Sequence, residues 1–239
     1  MTFQSSQLDL ITRKSVSFFH WASAPGDHRN GSMFFIDTGA GLFGVTANHV
    51  YRDYQRAAAE KRVLCKVDDM PFDPLGRLVS AGDKCDVATF KISNEELRTL
   101  DRLTTPWPPV VPEVGQTVLL AGFPGCEKSF SRANSIECRM YAAKWTVDSV
   151  SERDISIVRP PDSEVVDIHG RGFPQRQYDF GGMSGGPVAA AIDGYVFSWA
   201  FSGVIYELHQ SMEILKAVRA DFISEDGSVS EARYQGVAD

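Results

Sequence analysis

The chain has 239 residues, 43% of them hydrophobic and 23% charged, with 24 Lys plus Arg against 31 Asp plus Glu for a formal charge of −7. This is the composition of an ordinary globular protein, which excludes wholesale disorder, and the length suits two modest domains or one large β unit. The acidic balance, with Lys and Arg scattered along the chain, sets nucleic acid aside as a partner.

From the N-terminus, short Val/Ile/Phe/Thr-rich runs alternate with Gly, Pro, Asp and Asn, a pattern that predicts many short strands. Strands are expected near Ser15–His20, Ser32–Asp37, Leu42–Thr46, Arg62–Val67, Arg77–Ser80 and Asp86–Ile92. A helix is expected from Asn48 through Tyr51–Lys61, where Ala57-Ala58-Ala59 favours it, and a second short one over Asn94–Leu103. Asn30-Gly31-Ser32 matches a glycosylation acceptor and, in a chain with no export signal, reads as a turn. Gly39 to Gly44 precedes a strand rather than opening a helix, so it reads as a hairpin turn and not as a dinucleotide loop.

Four prolines between Pro106 and Pro112 cannot sit inside a helix or a central strand, so 105–113 reads as an extended linker between two halves. Beyond it, strands are expected near Thr117–Phe123, Ser135–Thr146, Asp154–Arg159, Val188–Ala191 and Tyr195–Tyr206. Met212, Leu215, Val218 and Phe222 recur at helical spacing and predict a C-terminal helix over 211–223. The organisation is one all-β unit: an N-terminal half over 15–104, the linker, a C-terminal half over 114–210 and the helix.

The most apolar stretch, Phe180 to Tyr206, holds one charge, six glycines and a proline. It reads as buried strands, and no membrane span is expected. Met1 to Lys14 has no basic-then-apolar signal segment. A cytoplasmic location follows, with Cys65, Cys85, Cys126 and Cys138 as free thiols, although Cys126 and Cys138 could bridge a hairpin. His20, His28, His169 and His209 lack metal-ligand spacing and read as structural or surface residues; no metal or cofactor is expected.

Four segments carry chemistry: Gly44-Val45-Thr46-Ala47-Asn48-His49-Val50, Cys85-Asp86-Val87-Ala88, Ala121-Gly122-Phe123-Pro124 and Gly181-Gly182-Met183-Ser184-Gly185-Gly186-Pro187. A serine hydroxyl becomes a competent nucleophile when an adjacent imidazole takes its proton, and a carboxylate fixes that imidazole's tautomer. Glycines around the serine let backbone N–H groups turn toward a developing oxyanion. His49, Asp86 and Ser184 are the candidate triad, and the Gly182 and Ser184 N–H groups the candidate oxyanion donors. Asp83 competes with Asp86, but its Gly-Asp-Lys turn reads as solvated.

The order His, Asp, Ser, with Thr46-Ala47-Asn48-His49, Asp86-Val87-Ala88 and Gly182 to Pro187, resembles the trypsin/chymotrypsin family of serine peptidases. It is similar above all to the disulfide-poor bacterial branch that includes the high-temperature-requirement proteases. The resemblance implies two six-stranded-type antiparallel β-barrels, an active site between them, and a stand-alone serine endopeptidase acting on protein or peptide substrates. A regulatory protein partner is a further expectation. Val50 replaces the cysteine that follows the histidine in secreted trypsins. Met183 replaces the aspartate that precedes the serine in activatable zymogens, so activation without N-terminal cleavage is expected.

In this fold the specificity pocket is walled by the residues before the serine and by a later strand. That implicates Gln177 to Gly181, with Tyr178, Asp179 and Phe180 among them, and Ser202 to Tyr206 opposite, where Gly203 could leave room for a side chain. Asp179 at a pocket base would favour Arg or Lys, while Tyr178, Phe180 and Tyr206 could instead fill the space and Asp179 could simply cap a turn. The alternatives are an α/β-hydrolase-type esterase, whose Gly-x-Ser-x-Gly elbow is matched at Gly182–Gly186, and a protease fold used only for binding.

Overall fold

The computed structural model describes residues 12–24, 27–130, 136–160, 178–192, 198–209 and 213–231. Features read from the sequence at 1–11, 161–177 (His169 among them), 193–197 and 210–212 lie outside these.

The first half comprises β1 (Ser17–Ala22), β2 (His28–Asp37), β3 (Leu42–Ala47), α1 (Asn48–Glu60), β4 (Leu64–Val67), β5 (Met70–Pro71), α2 (Pro74–Arg77), β6 (Leu78–Gly82), β7 (Val87–Lys91) and α3 (Asn94–Thr99). The second comprises β8 (Thr117–Gly122), β9 (Lys128–Phe130), β10 (Ile136–Cys138), β11 (Tyr141–Val150), β12 (Asp154–Val158), β13 (Pro187–Ile192), β14 (Ser198–His209) and β15 (Ile214–Arg219). In the first half the strands form a seven-stranded sheet in the order β5-β4-β1-β2-β3-β7-β6; in the second, β11-β12-β15-β14-β13-β8 close a six-stranded barrel. The architecture is the all-β double-barrel type of the chymotrypsin-like fold, with the first ladder longer than the six strands expected.

Period-two alternation builds the seam between the halves. On β2, Met33 and Phe35 enter the first core with Phe19, Trp21 and Phe90. Their neighbours Phe34 and Ile36 face the other way and pack on Phe201, Val204 and Val218 of the second barrel. One strand therefore serves two cores. The second barrel fills its interior by the same rule, with Trp145 and Val147 of β11, Ile155 and Ile157 of β12, and Leu215 and Ala217 of β15.

Helix α1 buries Asn48, Val50, Tyr51 and Tyr54 at helical spacing against the first sheet. Helix α3 starts on a capping box, in which the Ser93 hydroxyl accepts from the Glu96 N–H while the Glu96 carboxylate accepts from the Ser93 N–H. Between the halves, Thr105 bridges to Ile36 and the Val110 N–H donates to the Phe201 carbonyl.

The C-terminal helix expected over 211–223 is not formed: Ile214–Arg219 is strand β15, followed by a short 3-10 turn at Ala220–Phe222. The spacing of Leu215 and Val218 suits a helix, but in β15 they face opposite ways, Leu215 with Ala217 into the second core and Val218 into the seam, and a short apolar run cannot be assigned by period alone. Barrel closure decides it. Strand β15 fills the gap between β12 and β14, where its backbone groups find ladder partners on both sides. The Asn30-Gly31-Ser32 turn is likewise corrected, because these residues lie within β2 and pair with β1. The predicted strand over Ser135–Thr146 is two strands, β10 and β11, separated at Arg139–Met140.

Among the described residues no helix is long and apolar enough to cross a membrane. All four cysteines are free, and only Cys126 is exposed. Burial raises the Cys138 thiol to about 12 and the Cys85 thiol to about 11, and it pushes Cys65 upward as well. The reactive species is the thiolate, so these three are poor nucleophiles near pH 8. A thiol titration at pH 8 is expected to find one fast-reacting group, Cys126, in the native protein and four after denaturation. Two after denaturation under non-reducing conditions would instead show a Cys126–Cys138 disulfide.

Candidate active site

Strand β3 runs from the first core straight into α1, so His49 enters on the first helical turn. Antiparallel pairing sets Ala47 of β3 opposite Val87 of β7. This register brings Asp86, just before β7, beside the helix start. Its main-chain carbonyl accepts from the Asn48 N–H at 2.9 Å. One carboxylate oxygen accepts from the His49 main-chain N–H at 2.7 Å, and the other lies 2.7 Å from His49 Nδ1. The N-cap residue Ala47 offers no side-chain acceptor, and Asp86 supplies one from the neighbouring strand. Asp86 holds φ at +48°, a left-handed conformation that a non-glycine residue adopts only when its surroundings impose it.

With Nδ1 donating to Asp86, the lone pair of His49 sits on Nε2. The imidazole is half exposed, at 45%, while the Asp86 side chain is 16% exposed. Asp83 takes a different part: its carboxylate accepts from Asn48 Nδ2 at 2.7 Å and pairs with Arg52 on the surface of α1.

Ser184 lies in the turn that leads into β13, beside the strand that delivers His49. Its carbonyl accepts from the Ser32 N–H of β2 at 2.8 Å. The next residue, Gly185, has φ +87°, and a Cβ there would overlap Thr46 Oγ1 and the Ser32 carbonyl and stand 3.0 Å from Ala47 N. Only glycine lets the backbone after Ser184 lie flat against the end of β3. The Ser184 hydroxyl donates to the Tyr206 carbonyl at 3.4 Å. Among the described residues that is its hydrogen-bond partner, and His49 is not.

The turn sorts its N–H groups into two sets. Gly181 donates to Asp179 Oδ1 at 2.8 Å, Met183 to the Phe180 carbonyl at 3.0 Å, Gly185 to the Ile205 carbonyl at 2.7 Å and Gly186 to the Met183 carbonyl at 2.9 Å. The Gly182 and Ser184 N–H groups have no acceptor among the described residues. These are the two donors that the sequence singled out. Met183 is buried in the second core, where its thioether side chain needs no counter-charge.

A cavity of about 170 Å³ opens beside Ser184, walled by Phe180, Met183, Ile205, Tyr206, Leu208 and Leu215, with Asp179 and Glu207 also bordering it. Asp179 is exposed, and its carboxylate caps the turn at Gly181 rather than forming a charged base. Tyr178 lies outside the lining: its hydroxyl donates to Glu127 Oε1 at 2.6 Å, and its ring packs on Phe180 with centroids 4.7 Å apart. Ser202 and Gly203 are also elsewhere. The Ser202 hydroxyl accepts from the Ala190 N–H and donates to the Ala200 carbonyl, both at 3.2 Å, and Gly203 sits in the β14–β15 ladder opposite Arg219.

Ile205 falls within the Ser202–Tyr206 stretch expected opposite the serine, whereas sequence reasoning missed Leu208 and Leu215. Leu215 was hidden by the helical reading of its segment, and Leu208 lies just beyond the expected stretch. A larger cleft of about 730 Å³ lies at the other end of β8, along Val110–Gln116 with Lys144 and Trp199; its lining holds no serine, cysteine or histidine. Among the described residues no group of three His, Cys, Asp or Glu could hold a metal ion.

The fold is that of chymotrypsin-like proteases. A serine endoprotease from Yersinia pestis superposes with a TM-score of 0.56 at 13% identity over 92% of this chain and 64% of its own length. This chain thus spans about two thirds of that protein. The protease of tobacco vein mottling virus aligns with a TM-score of 0.49 at 12% identity, over 97% of this chain and 85% of the viral one. No family profile and no curated protein sequence matches the chain.

Asp86 and Asp83 are separable by stability. Asp86→Ala is expected to lose about 1–2 kcal/mol in urea denaturation, because the helix start loses its acceptor. Asp86→Asn, which keeps an acceptor oxygen and tolerates positive φ, is expected to lose less. Asp83→Ala, which breaks only an exposed pair, is expected to stay within about 1 kcal/mol of wild type.

Proposed function

We propose that the chain is a serine endopeptidase that cleaves protein or peptide substrates through an acyl-enzyme. The observation that carries this reading is the meeting of the Ser184 turn with the strand that delivers the His49–Asp86 pair, with two N–H donors in that turn that no described residue claims and a cavity opening beside Ser184. In the proposed cycle Ser184 Oγ attacks the scissile carbonyl as His49 Nε2 takes its proton. The carbonyl oxygen becomes an oxyanion facing the Gly182 and Ser184 N–H groups, which need little reorganisation because no described residue already accepts from them. Collapse expels the amine, which leaves with the proton from His49. Water, deprotonated by the same imidazole, then attacks the ester carbonyl, and return of the proton to Ser184 Oγ releases the acid and restores the enzyme. Asp86 steadies the imidazolium in both halves of the cycle.

Two features support the substrate side. Past the Pro187↔Val204 pair, Ile205 is still held by Gly185 and Gly186 and the Tyr206 carbonyl accepts from the Ser184 hydroxyl; from Glu207 onward β14 ladders, among the described residues, only with β15. An extended peptide can add along that free edge and run past Ser184. The cavity beside it is walled mostly by aliphatic and aromatic side chains, with Asp179 and Glu207 at its border, and a cavity near 150 Å³ is large enough for a benzene-sized group. An aliphatic or single-ring side chain before the scissile bond therefore suits it better than Arg or Lys.

The esterase reading requires the serine elbow to open a helix, whereas Gly185-Gly186 leads into β13. A binding role, or an enzyme gated by a protein partner, draws on one observation, the Ser184 hydroxyl turned to the Tyr206 carbonyl rather than to His49. Four free thiols fit a reducing compartment, and nothing in the proposed chemistry calls for a metal or cofactor.

A fluorophosphonate probe followed by peptide mapping is expected to label Ser184 in wild type and not in His49→Ala. Peptide-library cleavage is expected to show apolar residues before the cut, and Ser184→Ala or His49→Ala to lose about 10⁴-fold or more. An unlabelled Ser184 in folded protein would favour the binding or gated reading, and cleavage after Arg or Lys would refute the apolar assignment.

A further inference from the structure

We infer that Ser32 is a positioning residue for the oxyanion donors, a role that rests on the peptidase reading and explains how the hole is held in this chain. Ser32 belongs to the Asn30-Gly31-Ser32 triplet, which lies within β2 rather than in a surface turn. Its side chain is fully buried at the meeting point of three segments. The hydroxyl donates to the Gly182 carbonyl at 3.1 Å and accepts from the Phe123 N–H at 2.9 Å. The same residue's main-chain N–H donates to the Ser184 carbonyl at 2.8 Å.

The need for such a clamp follows from Gly182. Its φ of +98°, with the Met183 N–H donating to the Phe180 carbonyl, is what the third residue of a type II turn requires. Glycine populates both signs of φ with similar ease, so the peptide plane joining Gly181 to Gly182 can flip at little intrinsic cost. A flip would turn the Gly182 N–H away from the substrate. Two hydrogen bonds oppose it, one on each side of the glycine.

On the N-terminal side, the Gly181 carbonyl accepts from the Gly125 N–H at 2.5 Å. In a trans peptide the carbonyl and the following N–H point in opposite directions, so pinning that carbonyl aims the Gly182 N–H. On the C-terminal side the Ser32 hydroxyl pins the Gly182 carbonyl. Because that hydroxyl also accepts from Phe123, it fixes the start of the very segment that presents Gly125. Asn30 Nδ2 braces the same segment by donating to the Phe123 carbonyl at 2.8 Å. Both bonds that define the Gly182 peptide planes thus lead back to β2, a strand locked between two hydrophobic cores.

The test compares Ser32→Ala with wild type and with Thr89→Val, which removes a buried hydroxyl bonded to the Gly227 carbonyl at 2.6 Å and to no residue of the serine turn. Four quantities are read: kcat, KM, the affinity of a peptide boronate whose tetrahedral adduct carries an oxyanion, and the thermal midpoint. Substrate affinity is measured separately in a Ser184→Ala background. Removing a donor outright costs about 10²–10³-fold in kcat. Ser32→Ala only loosens one, so a loss of about 10–100-fold is expected, with boronate affinity falling in step and substrate affinity unchanged. Thr89→Val is expected to lower the thermal midpoint and leave kcat and boronate affinity at wild-type levels. If Ser32→Ala keeps wild-type kcat and boronate affinity, or loses substrate affinity as steeply as kcat, the positioning role is overturned while the peptidase reading stands. A wild type that hydrolyses no peptide and takes up neither boronate nor fluorophosphonate would overturn both.

Discussion

The hydrogen bond from the Ser32 N–H to the Ser184 carbonyl joins the two halves at the point where their chemistry must meet. The proposed base and its carboxylate come from the first sheet, the proposed nucleophile and its donors from the second barrel. Neither half holds a complete site. Strand β2 can tie them because it is rigid on both faces, with Phe35 in one core and Phe34 in the seam. Small residues where the turn meets the strands allow close approach, and Gly185 is the clearest case. A side chain there would push the turn off Thr46 and Ala47, and Ser184 would move away from the strand that carries His49.

The arrangement places its electrostatics before any substrate arrives. Asp86 serves two N–H groups with one carboxylate, so the contact that anchors the helix start also orients the imidazole. Among the described residues the Gly182 and Ser184 N–H groups have no acceptor, while those of Gly181, Met183, Gly185 and Gly186 are committed to acceptors in the turn or on β14. A site built this way needs little rearrangement when charge develops, which is the condition under which fixed dipoles stabilise a transition state. The backbone strain at Asp86 fits the same pattern, a residue held in an unfavoured conformation where its carboxylate is needed.

Much of this was legible in the sequence, for local reasons. Strand β3, helix α1 and the Gly-rich serine turn each announce themselves in consecutive residues, and their order in the chain identifies the fold. What was hidden depends on long-range pairing. Leu215 and Val218 are spaced as on a helix face, and only the gap between β12 and β14, which buries both sides of the strand, selects β15. Asn30-Gly31-Ser32 has turn composition, yet pairing with β1 keeps it in the sheet, and nothing local shows that the Ser32 hydroxyl meets a residue 150 positions away. Asp179 is a mixed case: counting back from Ser184 places it at a pocket, which it borders, and its carboxylate also caps the turn at Gly181.

The central claim is that Ser184, His49 and the two N–H donors converge on one reacting carbon. A crystal structure of the protein with a bound peptide boronate measures this directly. The account expects boron bonded to Ser184 Oγ, with one boronate oxygen at about 2.7–3.1 Å from both the Gly182 and Ser184 nitrogens and another within reach of His49 Nε2. A boronate bound away from Ser184, or an adduct whose oxygens face neither donor, would contradict it.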